Sequence, residues 1–310
     1  MKTAYITHKD CLGHNMFAGH PENPGRLVAI RDQLQKDHLW DLLQHFEAPE
    51  ADRVALLRTH NASYINHVFY HAPTSEEALF EIDPDTHMNK HTLPAALRAA
   101  GAGILAVDLV LKKEVENAFC AVRPPGHHAE SSKGMGFCFF NNIAIAAAYA
   151  LEVGKCERVA IIDFDVHHGN GTEEIFIEDP RVLICSSYQH PFYPYSGCTT
   201  VPGHLINSPL PQGTTGPEFR MQVQSVWLPE LEAFAPQLVF ISAGFDAHWQ
   251  EQIAQLQFAE ADYAWVTKKL LQIARSSAQG RIVSMLEGGY SYAALGRSVA
   301  EHLRVLMGLD

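Results

Sequence analysis

An apolar run, Val159-Ala160-Ile161-Ile162, passes without interruption into Asp163-Phe164-Asp165-Val166-His167-His168-Gly169-Asn170-Gly171, a density of metal-ligand side chains that a solvated loop rarely needs. The pattern recurs three times. Residues 118–122 end in Arg123-Pro124-Pro125-Gly126-His127-His128, residues 238–242 in Ala243-Gly244-Phe245-Asp246, and residues 282–286 in Glu287-Gly288-Gly289-Tyr290. Between these runs lie helical patterns over 93–111, 141–151, 219–234, 259–274 and 292–306. Buried strands alternating with helices predict a single-domain α/β fold with a central, mostly parallel sheet flanked by helices on both faces. Such sheets place ligands outside the carboxyl ends of their strands, where this chain collects its polar motifs.

The 310 residues, 47% of them hydrophobic, suffice for a sizeable core, and no linker divides them, so one domain spanning 1–310 is expected. Charged residues make up 19% without a like-charge block, and the net charge of -12 argues against a binder of phosphate backbones. Residues 71–92 and 187–217, rich in Pro and Gly and without strong periodicity, read as long surface loops at the rim of the site. The six cysteines form no C-x-x-C pair and read as small buried hydrophobes of a reducing compartment. The first residues turn polar at His8 without the apolar core of a signal peptide, and no later stretch reaches membrane-spanning length. A cytoplasmic protein is expected.

Carboxylate oxygen and neutral imidazole both donate well to zinc, and no thiolate competes beside them. In an extended chain Asp163, Asp165 and His167 share one face, so two ligands can converge on one ion. Asp246 is the best further ligand, because Gly244 and Phe245 carry it just past a buried strand; alone it would more often be a cap or turn residue. Asp165, His167 and Asp246 together offset the charge of a dication and leave one or two positions for water and substrate, which is a catalytic pattern.

His127 and His128 put two imidazoles on a stiff turn. Asp163 can orient one through a charged hydrogen bond that raises its pKa, and Asn170 the other without charge, so the two can divide general-base and electrostatic roles. The bland reading is that one ligates the metal and the other packs. Tyr290, after two glycines, can aim a phenol at an oxyanion, although a lone tyrosine more often packs.

Read together, Arg123–Ala129, Gly136-Phe137-Cys138-Phe139-Phe140-Asn141-Asn142, Asp163–Gly171, Ser242–Ala247 and Glu287–Tyr290, with His20-Pro21-Glu22-Asn23-Pro24-Gly25-Arg26-Leu27, resemble the motif set of the histone deacetylase family, in the family's order. The resemblance covers about residues 5 to 305 and is nearest to bacterial class II-like histone deacetylase-like amidohydrolases, because Asn170 stands where another class has Asp. It implies the arginase-deacetylase fold and hydrolysis of acetyl-lysine-type amides by water on one Zn2+ per chain, held by Asp165, His167 and Asp246. His128 would be general base and acid, His127 its electrostatic partner, Asp163 and Asn170 the histidine partners, and Tyr290 the group polarising the acetyl carbonyl.

The resemblance further implies a tunnel lined by Phe137 and Tyr193 with Gly136 and Gly288. It implies a structural K+ on Asp163, Asp165 and His167 with Ser186 nearby. Arg26 would reach Gly288 and Gly289 beside an internal acetate channel, a surface salt bridge being the bland alternative. Polyamine-selective relatives carry a glutamate gatekeeper where this chain has Ile253, while nearby Glu251 keeps the question open. The expected partner is an acetylated lysine peptide or protein, or a small acetylated amine, with no nucleic acid or membrane and with self-association left open. Rival readings are an acetylpolyamine amidohydrolase, a non-catalytic acyl-lysine binder, a binuclear manganese ureohydrolase, for which the bridging carboxylates are too few, and a structural zinc protein, whose site would close with Cys and His.

Overall fold

Apolar runs with no polar alternation need shelter on both faces, and this chain provides it in an eight-stranded parallel sheet. The computed structural model describes residues 1–309, so the last residue of the expected domain, Asp310, lies outside the described residues. The strands are β1 (Thr3–Thr7), β2 (Gln44–Glu47), β3 (Phe80–Asp83), β4 (Thr86–Met88), β5 (Asn117–Cys120), β6 (Val159–Asp163), β7 (Val182–Gln189), β8 (Leu205–Leu210), β9 (Leu238–Ala243) and β10 (Ile282–Leu286). The main sheet runs β2-β1-β5-β10-β9-β6-β7-β8, and β3 and β4 form a separate antiparallel hairpin. Every residue of β5, β6, β9 and β10 is buried.

The strand order explains why the motifs meet. From β5 the chain crosses to β6 and leaves a gap two strands wide, which β9 and β10 later fill. The four strands whose ends carry the polar motifs are therefore contiguous, and being parallel they all end at one edge. In register, Ser186, Asp163, Ser242, Met285 and Cys120 form one row across β7, β6, β9, β10 and β5. The residues just beyond that row build the site.

The helical periodicities mark real helices at Thr92–Leu111, Asn142–Glu152, Glu260–Ser277 and Tyr292–Met307. The 219–234 pattern falls on a rod with a wide turn in its middle, Gly216–Gln222, Val223–Trp227 and Leu228–Phe234. Ser284 of β10 meets His302 of Tyr292–Met307, whereas the adjacent Met285 faces Gly103 of Thr92–Leu111, so helices cover opposite faces of the sheet. Thr92–Leu111 is the one helix among the described residues long and apolar enough to cross a membrane, and most of it is buried against the sheet and Asn142–Glu152.

Residues 187–217 are not one loop. They contain the end of β7, all of β8 and the start of the next helix. β8 escapes a periodicity search because it is an edge strand carrying Asn207, Ser208 and an exposed Pro209, residues that an edge tolerates and a central strand does not. The 71–92 segment likewise folds back as the β3-β4 hairpin, whose turn reaches the site.

Candidate active site

β6 ends at Asp163, and beyond it the chain bends instead of running on extended as its alternation suggested. The bend is built by the acids themselves. Asp163 Oδ1 accepts from Asp165 N at 3.0 Å, and Asp165 Oδ1 from His167 N at 2.9 Å, two successive side-chain turns of the kind aspartate favours. Asp246 Oδ1 accepts from Val166 N at 2.9 Å, which ties the end of β9 to the same bend. From β10, Gly288 N donates to Asp165 Oδ2 at 2.8 Å.

This scaffold brings ligand atoms of Asp165, His167 and Asp246 within 4.8 Å of one another, while Asp163 turns toward His127. His167 Nδ1 lies 2.9 Å from Asp165 Oδ1 and 3.3 Å from Asp246 Oδ2, and these two acids hold the imidazole up to about 9 although burial alone would lower it. Apart from that imidazole, the buried Asp246 Oδ2 has no polar partner. Two buried carboxylates around one imidazole form a cluster that could hold a metal cation, and O/N donors in this ratio suit zinc. Glycine makes the room: a Cβ on Gly288 would fall 1.9 Å from Asp246 Oδ2, and one on Gly244 2.0 Å from Asp165 Oδ2. Ser186 Oγ, in register with Asp163, is also buried without a partner.

Facing the cluster, His127 and His128 stand with ring centroids 4.1 Å apart and unlike partners. His127 Nδ1 is 2.9 Å from Asp163 Oδ2. Burial alone would lower its pKa, but Asp163, Asp165 and Glu287 hold it well above the usual range. His128 Nδ1 is 2.8 Å from Asn170 Oδ1, and Asn170 Nδ2 donates to Glu130 Oε1 at 2.7 Å. A carboxylate only accepts, so Glu130 fixes which end of the amide faces His128. Burial, together with the neighbouring His127 and His167, drives His128 well below the usual range.

Glu287, whose motif drew attention only to its glycines and tyrosine, braces this turn. Its Oε2 accepts from Gly126 N at 2.7 Å and His127 N at 3.2 Å, and its Oε1 from Ser242 Oγ at 3.1 Å. Burial pushes its carboxyl up to about 7. Arg26 is no surface salt bridge: it is fully buried, pairs with Glu22, and donates to Gly289 O at 2.7 Å and to Glu287 O, so Glu287 replaces the expected Gly288 as its second contact. Its guanidinium carbon lies 5.0 Å from the centre of the Tyr290 ring.

Above these groups opens a cavity of about 110 Å³. Gly136, Phe137, Tyr193 and Gly288 line it, together with His127, His128, His167 and Tyr290. Phe137 is held at φ 69°, a costly conformation for an aromatic, with its N–H bonded to Thr86 Oγ1. The hairpin turn also brings Asp85 to the cavity, a residue marked in the sequence only by a turn-like Asp-Pro-Asp within the 71–92 segment. Ile253 also lines the cavity, whereas Glu251 turns inward and binds backbone. Of the six cysteines, five are buried thiols, but Cys198 is exposed.

Residues 20–306 match the family model described as the histone deacetylase domain. The chain belongs to the histone deacetylase family. It is 38% identical over 302 residues to a probable deacetylase of Archaeoglobus fulgidus, covering 94% of this chain and 82% of that relative. Identity to a histone deacetylase-like amidohydrolase of Pseudomonas aeruginosa is 36% over 296 residues, 92% of this chain and 77% of the relative. The crystal structure of the HDA15 HD domain superposes with a TM-score of 0.92 at 32% identity, over 99% of this chain and 88% of that one. These likenesses make the protein a hydrolase of the deacetylase kind, built on one α/β domain.

Proposed function

We propose that the chain is a zinc-dependent amidohydrolase that removes acetyl or other short acyl groups from lysine side chains or related amines. One observation carries this: a buried cluster of Asp165, His167 and Asp246 faces two histidines, one held well above and the other well below the usual imidazole range, at the floor of a narrow cavity. Zinc held by those three residues would supply Lewis-acid polarisation of the scissile carbonyl and a lowered pKa for water.

The chain's own groups divide the remaining work. Because Asn170 offers His128 an acceptor, the proton sits on Nδ1 and the free lone pair on Nε2, which takes a proton from the attacking water and passes it to the leaving amine. His127, charged beside Asp163, discourages a second cation and keeps His128 neutral until that proton arrives. Burial keeps the Tyr290 phenol protonated, well above its usual range, so it donates to the carbonyl oxygen as negative charge develops. Phe137 and Tyr193 give apolar walls for methylenes. A potassium ion on Asp163, Asp165, His167 and Ser186 is part of the proposal, supported by the partnerless Ser186 hydroxyl. So is a single domain over 1–310, supported by the continuous sheet, and a reducing cytoplasmic setting, supported by six free thiols.

Ile253 in the cavity and Glu251 turned away favour acyl-lysine over long acetylpolyamines; Asp85 at the cavity keeps an amine-bearing substrate as the second reading. The test is acetate release from a panel of acyl-lysine peptides beside acetylputrescine and acetylspermidine, with zinc replenished. Acyl-lysine turnover is expected to lead. Tight peptide binding with no acetate released would mark a non-catalytic binder instead.

A further inference from the structure

Glu251 lies five residues beyond Asp246 and is 8% exposed, yet no part of the scheme above uses it. Its Oε1 accepts two backbone hydrogen bonds, from Tyr290 N and from Ser291 N, each 2.8 Å. Ser291 is the N-cap of the helix Tyr292–Met307 and makes no capping bond with its own side chain. The carboxylate of Glu251 instead takes the N–H of the N-cap residue and of the residue before it, from another segment, at a helix end where negative charge is favoured.

The other side of Tyr290 is held as well. Arg26 donates to the preceding carbonyl, Gly289 O, at 2.7 Å and lies over the phenol ring. Among the described residues nothing hydrogen-bonds the phenol hydroxyl, so its aim depends on the backbone that carries it. Glu251 is itself fixed, because its N–H donates to His248 O at 2.9 Å and Trp249 N donates to Phe258 O at 2.9 Å. The segment after the expected zinc ligand Asp246 is thereby fastened to the loop that bears the tyrosine.

We propose that Glu251 is the positioning residue for Tyr290: its carboxylate locks the Tyr290-Ser291 backbone so that the phenol meets the substrate oxygen. This rests on Tyr290 acting as the oxyanion donor. Loss of the lock leaves the substrate cavity and the zinc ligands in place and misaims one hydrogen bond, so it acts on kcat more than on KM.

Steady-state rates on an acetyl-lysine peptide, with metal content and thermal melts, are to be compared for Glu251→Ala, Glu251→Gln, Tyr290→Phe and the Glu251→Ala/Tyr290→Phe pair, all zinc-loaded. Glu251→Ala is expected to lower kcat about 10- to 100-fold with KM changed less than about 3-fold and zinc retained. Glu251→Gln keeps an acceptor oxygen for both N–H groups and is expected to recover most of that loss. In the Tyr290→Phe background, Glu251→Ala should cost less than about 2-fold further, because the group it positions is gone. Equal losses in both backgrounds, a change confined to KM, or a Gln variant no better than Ala would overturn the inference. If the Ala variant does not fold, Glu251→Asp, one methylene short of the two N–H groups, takes its place. Full turnover by Tyr290→Phe would remove the tyrosine's own role, and this inference with it; a crippled Tyr290→Phe beside an unaffected Glu251→Ala removes the inference alone.

Discussion

His127 and His128 are adjacent, chemically identical and both buried, yet the fold holds one well above and the other well below the ordinary imidazole range. Burial would lower both, but the carboxylates of Asp163, Asp165 and Glu287 surround His127, whereas His128 has an uncharged amide partner in Asn170 and two neighbouring imidazoles. Replacing each in turn should therefore differ in severity, with His128→Ala the worse because it removes the proton carrier itself. Tyr290→Phe is expected to keep the metal and lower kcat by about 10²- to 10³-fold, the usual cost of one oxyanion donor. Asp246→Ala should lose both metal and turnover. Metal analysis beside acetate release decides these cases, and undiminished release by either variant contradicts its assignment. The donor types at 163–168, 246 and 127–128 were legible because ligand chemistry belongs to the side chain alone. Glu287 was not, since a lone Glu before two glycines gives no hint that its carboxylate will brace a turn 160 residues earlier.

At the level of elements, the site is a set of strand ends, and its tightness comes from how closely two of them approach. Gly288 stands after β10 and Asp246 after β9, and an added methyl would overlap Asp246 Oδ2. Gly288→Ala is accordingly expected to displace that carboxylate and lower the zinc content below one per chain, read by metal analysis on protein that still melts cooperatively; full zinc occupancy would show that the loop yields. The four central strands were readable as apolar runs because burial on both faces leaves no polar residue to confuse them. β8 and the β3-β4 hairpin were not, because edge and rim elements keep polar residues and proline, which read as loop. That hairpin then contributes Asp85, a residue no strand-end argument could have reached.

Across the whole molecule, burial also sets a pH limit far from the chemistry. His302 is pushed down to about 3 and His60 to about 4, both by burial, so both stay neutral in the fold. The unfolded chain protonates them near 6.5. Above that pH they contribute nothing to the pH dependence; as pH falls from about 6.5 toward 4 the unfolded state binds more protons, and each histidine costs about 1.4 kcal/mol of stability per pH unit. Glu287, raised to about 7, works in the opposite direction over part of this range, so the comparison belongs between variants differing at one position. His302→Gln should make the acid-side loss shallower by about 1.4 kcal/mol per unit in urea unfolding between pH 4.5 and 7; parallel curves for the two proteins would refute this. Sequence by itself determined the sheet, the edge at which it gathers polar groups and the candidate ligand cluster, because apolar patterning and donor chemistry are local properties. Tertiary structure alone decided which histidine meets which partner, that Ile253 faces the cavity while Glu251 turns back to the tyrosine loop, and that a hairpin from 80–88 closes the rim. Those outcomes depend on side-chain directions a few ångströms apart, set by packing between segments that are distant along the chain.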